Sequence, residues 1–184
     1  MAKKKEEAKP SKAVGAMFSG GKLTAAHRKE LRQLGDSFID AFMISVGFKE
    51  PAARTDDNGW RHLTLDSANG IAGIAEIENE LFLHGEAEVL SLPSDKDLIQ
   101  ALMREALEMN CTLPGACSLG IRGTRLVASA TENMRSLRSP DAYGQLIHLV
   151  MSLANAIDDG MKERYGGTSR SRQKSAGSVA AKEA

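Results

Sequence analysis

The stretch WRHLTLDSANGIAGIAEIENELFLHGEAEVLSL, Trp60 to Leu92, decides the fold. From Arg61 to Asp66 the residues alternate, with Leu63 and Leu65 on one face and His62, Thr64 and Asp66 on the other. That is the period-two pattern of a half-buried strand. Ser67-Ala68-Asn69-Gly70 supplies turn residues that tolerate positive φ. A second strand is predicted from Ile71 to Glu78, with Ile71, Gly73, Ala75 and Ile77 sharing a face. Glu78-Asn79-Glu80 makes the next turn. The third strand, Leu81 to Leu90, sets Leu81, Leu83, Gly85, Ala87 and Val89 against Phe82, His84, Glu86 and Glu88. Three consecutive antiparallel strands result, apolar on one face and charged on the other, so the sheet is covered on one side only. Gly73, Ala75, Gly85 and Ala87 leave room for a helix close to the backbone.

Helices flank this block. Thr24 is a good N-cap for a helix running to Val46, with Leu31, Leu34, Phe38, Ala41 and Phe42 as its stripe, widened by Ile39, Met43 and Val46. Gly47 and Pro51 stop it. After Pro93, Ser94 caps a second helix that ends at Asn110. Its apolar surface is wide: Leu98, Leu102 and Met109 face one way, Ile99, Met103 and Ala106 another. A sheet satisfies one of these sides, and the second must meet another element or another chain. Leu98, Ile99, Leu102, Met103 and Ala106 are therefore the candidate homodimer interface. Cys117–Ile121 and Thr124–Ala128 read as a second hairpin around Arg122-Gly123. Ser139-Pro140 opens the last helix, whose core stripe is Tyr143, Leu146, Ile147, Val150, Met151, Ala154, Ile157 and Met161.

Composition bounds the rest. With 184 residues, 42% of them hydrophobic, the chain has material for one core. It is expected to form one α+β domain over residues 23–166 between disordered segments 1–22 and 167–184. The zero net charge is divided: residues 1–20 hold five Lys and two Glu, residues 167–184 four basic residues and one Glu, and 21–166 is left at −6. An acidic globule with basic tails disfavours polyanions except through the tails, and an aromatic content of 4% argues against base stacking. No apolar run approaches the ~18 residues a membrane span needs, no signal peptide is apparent, and two cysteines suit a reducing cytoplasm.

Chemistry-bearing residues form no constellation. His27, His62, His84 and His148 are scattered, though His62 and His84 could meet across the sheet. Cys111 and Cys117 are not a redox pair, and Cys117 reads as a core filler. Glu76, Glu78, Glu86 and Glu88 read as the solvated face of two strands, since period-two spacing requires such a face. Ala16–Lys22 lacks the first glycine, the metal-binding hydroxyl and the preceding strand of a phosphate loop. Trp60 reads as a packing residue. No catalysis, cofactor, metal or small-molecule substrate is expected.

The order α-β-β-β-α-β-β-α resembles the type III secretion chaperone-like fold, which includes the Tir chaperone family and YbjN-like proteins. The resemblance rests on the leading helix Leu31–Val46, the strands His62–Val89, the linker Ser91–Pro93, the helix Asp95–Asn110, the hairpin Ser118–Ala128 and the helix Pro140–Lys162. It implies a small, acidic, cytoplasmic and usually dimeric protein without catalysis, which holds an effector or client segment extended on its surface. The middle helix then belongs to the dimer contact. Other functions compatible with the residues are a YbjN-like regulatory or assembly role, and an adaptor that touches nucleic acid or a membrane surface through the basic tails.

Overall fold

The computed structural model of the chain describes residues 23–166 apart from residue 138, so both basic tails and the Ala16–Lys22 stretch lie outside the described residues. The elements are α1 (Ala25–Ser45), a short 3-10 turn (Pro51–Arg54), β1 (Arg61–Leu65), β2 (Ala68–Ile77) and β3 (Glu80–Ser91). They continue with α2 (Lys96–Asn110), β4 (Cys117–Arg122), β5 (Arg125–Asn133) and α3 (Pro140–Tyr165). This is the expected α+β order. The strands form one antiparallel sheet in the order β1-β2-β3-β5-β4.

Turn chemistry sets the register. Glu78 and Asn79 both adopt positive φ, +51° and +67°, as a two-residue I′ hairpin requires. The first turn differs from expectation. It lies at Asp66-Ser67, where Asp66 takes φ +52°, and Asn69 and Gly70 already belong to β2. This earlier turn inverts the faces expected for β2. Leu63 pairs with Gly70 and Gly70 with Ala87, while Ile74 pairs with Leu83. Ala68, Gly70, Ala72 and Ile74 therefore face the core, and Ile71, Gly73, Ala75 and Ile77 face away. Both parities of this strand are apolar, so alternation alone could not choose between them, and the turn decided. Of the four small residues expected under a helix, Gly85 lies beneath α3, where an added Cβ would sit 3.6 Å from Leu146 Cδ2. Gly73 lies on the opposite face.

The second hairpin shifts the other way and turns one residue later than expected, with Arg122 opposite Arg125 and Gly123 at φ +61°. β5 continues past Ala128 to Asn133 because the whole length of β3 is available for pairing. In β3 a bulge at Glu88/Leu90 lets Val89 and Leu90 both be fully buried.

α1 and α3 cover the inner face of the sheet. The buried ridge of α1 is Leu31, Gly35, Ile39 and Met43 at four-residue spacing, with Phe38 and Phe42 packed beside it. Ala41 and Val46, expected in its stripe, are exposed. The α3 stripe is as expected: Tyr143, Ile147, Val150, Met151, Ala154 and Met161 are buried, and Leu146 and Ile157 pack partly against them. Each fully buried Leu, Ile or Met contributes about 1.5–3 kcal/mol. Thr24 and Ser139 cap α1 and α3 as expected, but Asp95, not Ser94, caps α2 by accepting from Asp97 N and Leu98 N. β1 is tied to α1 by Arg61, which donates to Asp40 Oδ1 at 3.0 Å, Asp36 Oδ1 at 2.5 Å and Gly59 O at 2.8 Å. α2 packs against β4 and α3, and Asn110 exchanges two hydrogen bonds with the backbone of Leu119 at 2.7 and 3.0 Å.

Candidate protein-binding surfaces

Three surfaces are open in ways that bear on binding. The first is a groove of about 870 Å³ between the C-terminal half of α1 and the N-terminal half of α3. Its apolar lining is Ala41, Phe42, Pro140, Gly144 and Leu149; Asp141, Gln145 and His148 are among its polar residues. Gly144 brings the helices together here, since a Cβ on it would lie 2.8 Å from Phe42 Cδ2. Leu149 is 38% exposed, and Ile44, near the end of α1, is 59% exposed. His148 Nδ1 sits 3.2 Å from Ser152 Oγ. Sequence periodicity missed this groove because Phe42 read as a core position and Gly144 drew no reading; exposed Leu149, just outside the α3 stripe, was the available signal.

The second surface is α2. Leu102 and Ala106, two of the five expected interface residues, are buried within the chain itself at 0% and 5% exposure. Leu98 and Met103 are exposed and Ile99 is half-buried. The structure adds Leu107, exposed to 65%, four residues after Met103 and therefore beside it on the helix. Met103 and Leu107 border a hollow of about 540 Å³ that also touches Gln100, Arg104, Glu108 and Cys111. On the neighbouring side Glu105 accepts from Tyr165 Oη at 2.6 Å and pairs with Arg164. The Tyr165 hydroxyl, helped by Arg164, holds the Glu105 carboxyl below its ordinary range.

The third surface combines the β1 edge and the outer sheet face. Thr55 bridges to Arg61 and covers the start of the edge; beyond it, His62–Leu65 has no outer strand among the described residues. The outer face carries Trp60, His84, Glu86 and Glu88. The glutamates correct the expectation of a solvated face: the Glu86 and Glu88 side chains are each only 9% exposed. Glu86 pairs with Arg122 at 2.9 Å and Glu88 with Arg125 at 3.2 Å. The sequence pattern gave the face but not the arginines of the distant hairpin that cover it. Glu76 faces the other way and pairs with Arg28 of α1 at 3.1 Å. His84 Nδ1 lies 2.8 Å from Thr131 Oγ1, whereas His62 stands beside Asp56 at 3.6 Å, so the two histidines do not meet. The backbone N–H of Trp60 holds the Asp56 carboxyl low. Cys111 is exposed and Cys117 buried, both as free thiols, and burial pushes the Cys117 thiol up. Among the described residues no cluster of ligating side chains could hold a metal, and no helix is long and apolar enough to cross a membrane.

No protein-family model matches this chain, and no curated protein sequence does. Solved structures do. A chain of the ExsC–ExsE complex superposes at a TM-score of 0.53 with 12% identity, across 70% of this chain and 94% of that one. The HopA1–SchA chaperone–effector complex gives 0.47 at 17% identity, with coverages of 68% and 97%. The heterodimeric ExoU–SpcU complex from the type III secretion system of Pseudomonas aeruginosa gives 0.44 at 17%, with coverages of 66% and 95%. Three helices and an open five-stranded antiparallel sheet, in this order, are therefore the fold that this chain shares with the chain of the ExsC–ExsE complex, over 70% of its length.

Proposed function

We propose that this chain is a non-enzymatic, cytoplasmic protein-binding module that acts as a homodimer and holds a segment of a client or effector protein. The observation that carries the reading is the α1–α3 groove. It is lined mainly by apolar surface, it is open, and Leu149 stands exposed beside it. Exposed apolar surface of this kind marks a protein partner more often than solvent. An amphipathic client segment would lay its apolar residues against Phe42 and Leu149, and an extended one could add main-chain hydrogen bonds at the β1 edge. The −6 charge of residues 21–166 supports a protein partner over a nucleic acid. The second copy would meet α2 through Leu98, Met103 and Leu107.

A photo-crosslinking amino acid at Leu149 tests the reading. In cell lysate it should capture a discrete protein through one short segment, and that segment, resynthesised, should bind the purified chain. Crosslinking to water alone, or captured segments that do not bind when purified, would refute it.

A further inference from the structure

The two edges of the sheet, β1 and β4, are finished differently. On β4, Leu119 presents both backbone groups to the side chain of Asn110, the last residue of α2. The Leu119 N–H donates to Asn110 Oδ1 at 2.7 Å, and Asn110 Nδ2 donates to Leu119 O at 3.0 Å. A carboxamide offers one acceptor and a donor side by side, the set that the backbone of a neighbouring strand would offer. Because bonded and non-bonded pairs alternate along an antiparallel ladder, Cys117 and Ile121 also turn their backbone groups away from β5. The Cys117 N–H is taken by Pro114 O at 3.4 Å. Of the outward N–H groups on this edge, that of Ile121 alone has no partner among the described residues.

The β1 edge has no such cover past Arg61. Leu65 opposite Ala68 closes a two-residue turn, so Leu65 and Leu63 bond to β2. The N–H and C=O groups of His62 and Thr64 therefore point outward, and among the described residues nothing bonds them. An edge left in this state invites another strand. With both edges open, β1 of one copy could pair with β4 of the next, a head-to-tail contact that does not close and grows into filaments.

We infer that Asn110 is an edge stop: its carboxamide stands where the next strand would bond Leu119, so the sheet accepts an extended segment at β1 and not at β4. The stop holds the sheet to one added strand and keeps copies of the chain from joining edge to edge. It acts whether or not the α1–α3 groove takes a client.

Amide exchange in the natural full-length chain reads the stop without any substitution. Corrected for intrinsic rates, the Leu119 amide should exchange about tenfold more slowly than those of Ile121 and Thr64, the protection expected of one native hydrogen bond. Equal exchange of Leu119 and Ile121 would overturn the inference, and this reading stands even if a substituted chain fails to fold. In sedimentation velocity over a concentration series, Asn110→Ala should form species larger than those of the natural chain, with unchanged circular dichroism. Adding Thr64→Pro removes an outward N–H from β1 while sparing the β1–β2 ladder, and should restore the natural distribution. A folded Asn110→Ala chain that sediments like the natural one would overturn the stop. Association that survives Thr64→Pro would set β4 against β4 and overturn β1 as the accepting edge.

Discussion

Trp60 packs directly on Gly73. A Cβ at position 73 would lie 2.5 Å from Trp60 Cε3 and 2.9 Å from Cδ2, so the indole occupies the space a side chain would need. The same ring meets His84 edge-on, with centroids 5.7 Å apart. The absent side chain on β2 thus seats the chain's one tryptophan on the outer face of the sheet.

Gly73→Ala should therefore displace the ring. We expect a loss of about 1–2 kcal/mol, typical of overpacking against a constrained neighbour. Trp60 emission should shift to the red, and because Trp60 is the single tryptophan the shift is unambiguous. Unchanged emission would show that the ring does not rest on Gly73.

Arg61 is 7% exposed and holds Asp36 and Asp40 together, whose side chains remain 32% and 38% exposed. Burial works to lower its pKa, and the two aspartates more than offset this, so it stays charged. Arg61→Met should cost about 2–3 kcal/mol, the low end for breaking a buried pair, because both carboxylates keep water. Adding Asp36→Asn and Asp40→Asn should return part of that loss. An unchanged urea midpoint for Arg61→Met would contradict the clamp.

Much of this architecture was legible in the sequence because local signals agreed. Thr24, Ser139-Pro140 and Glu78-Asn79 each fix a boundary by chemistry that needs no tertiary partner. β2 was misread because Ile71, Ile74 and Ile77 fall on both parities, and only the Asp66-Ser67 turn distinguishes them. On α2, the breadth of the apolar surface was visible, but not which part the chain buries itself; Leu102 and Ala106 go inward because β4 and α3 arrive from later in the sequence. The groove and the arginine cover on Glu86 and Glu88 depend on pairs far apart in sequence, and no local pattern encodes them.

The Tyr165–Glu105 contact carries a pH signature. The folded-state pKa of Glu105 is depressed, so the contact stabilises above the unfolded pKa and is lost as pH falls through the folded value. Glu105→Gln should be less stable than wild type at neutral pH by less than about 1 kcal/mol, as for a partly exposed pair. The gap should close as pH falls through the lowered folded-state value, once the carboxyl is protonated in both states. A gap that stays constant with pH would show that Glu105 acts through packing alone.

Met103 is 44% exposed on a face proposed to meet a second copy. Met103→Glu should convert a dimer to a monomer in light scattering while its circular dichroism stays unchanged, because the side chain is not part of the chain's own core. A wild-type monomer at micromolar concentration would refute the dimer. A mutant that remains dimeric would move the interface elsewhere, for instance to the β4–β5 strands.

The central claim is that the α1–α3 groove holds a client segment, and calorimetric titration of the segment captured at Leu149 tests it most directly. The account predicts saturable binding with a negative heat-capacity change, the mark of apolar burial, and an affinity at least about tenfold weaker for a folded Leu149→Asp variant. Binding of equal strength to wild type and Leu149→Asp would contradict it.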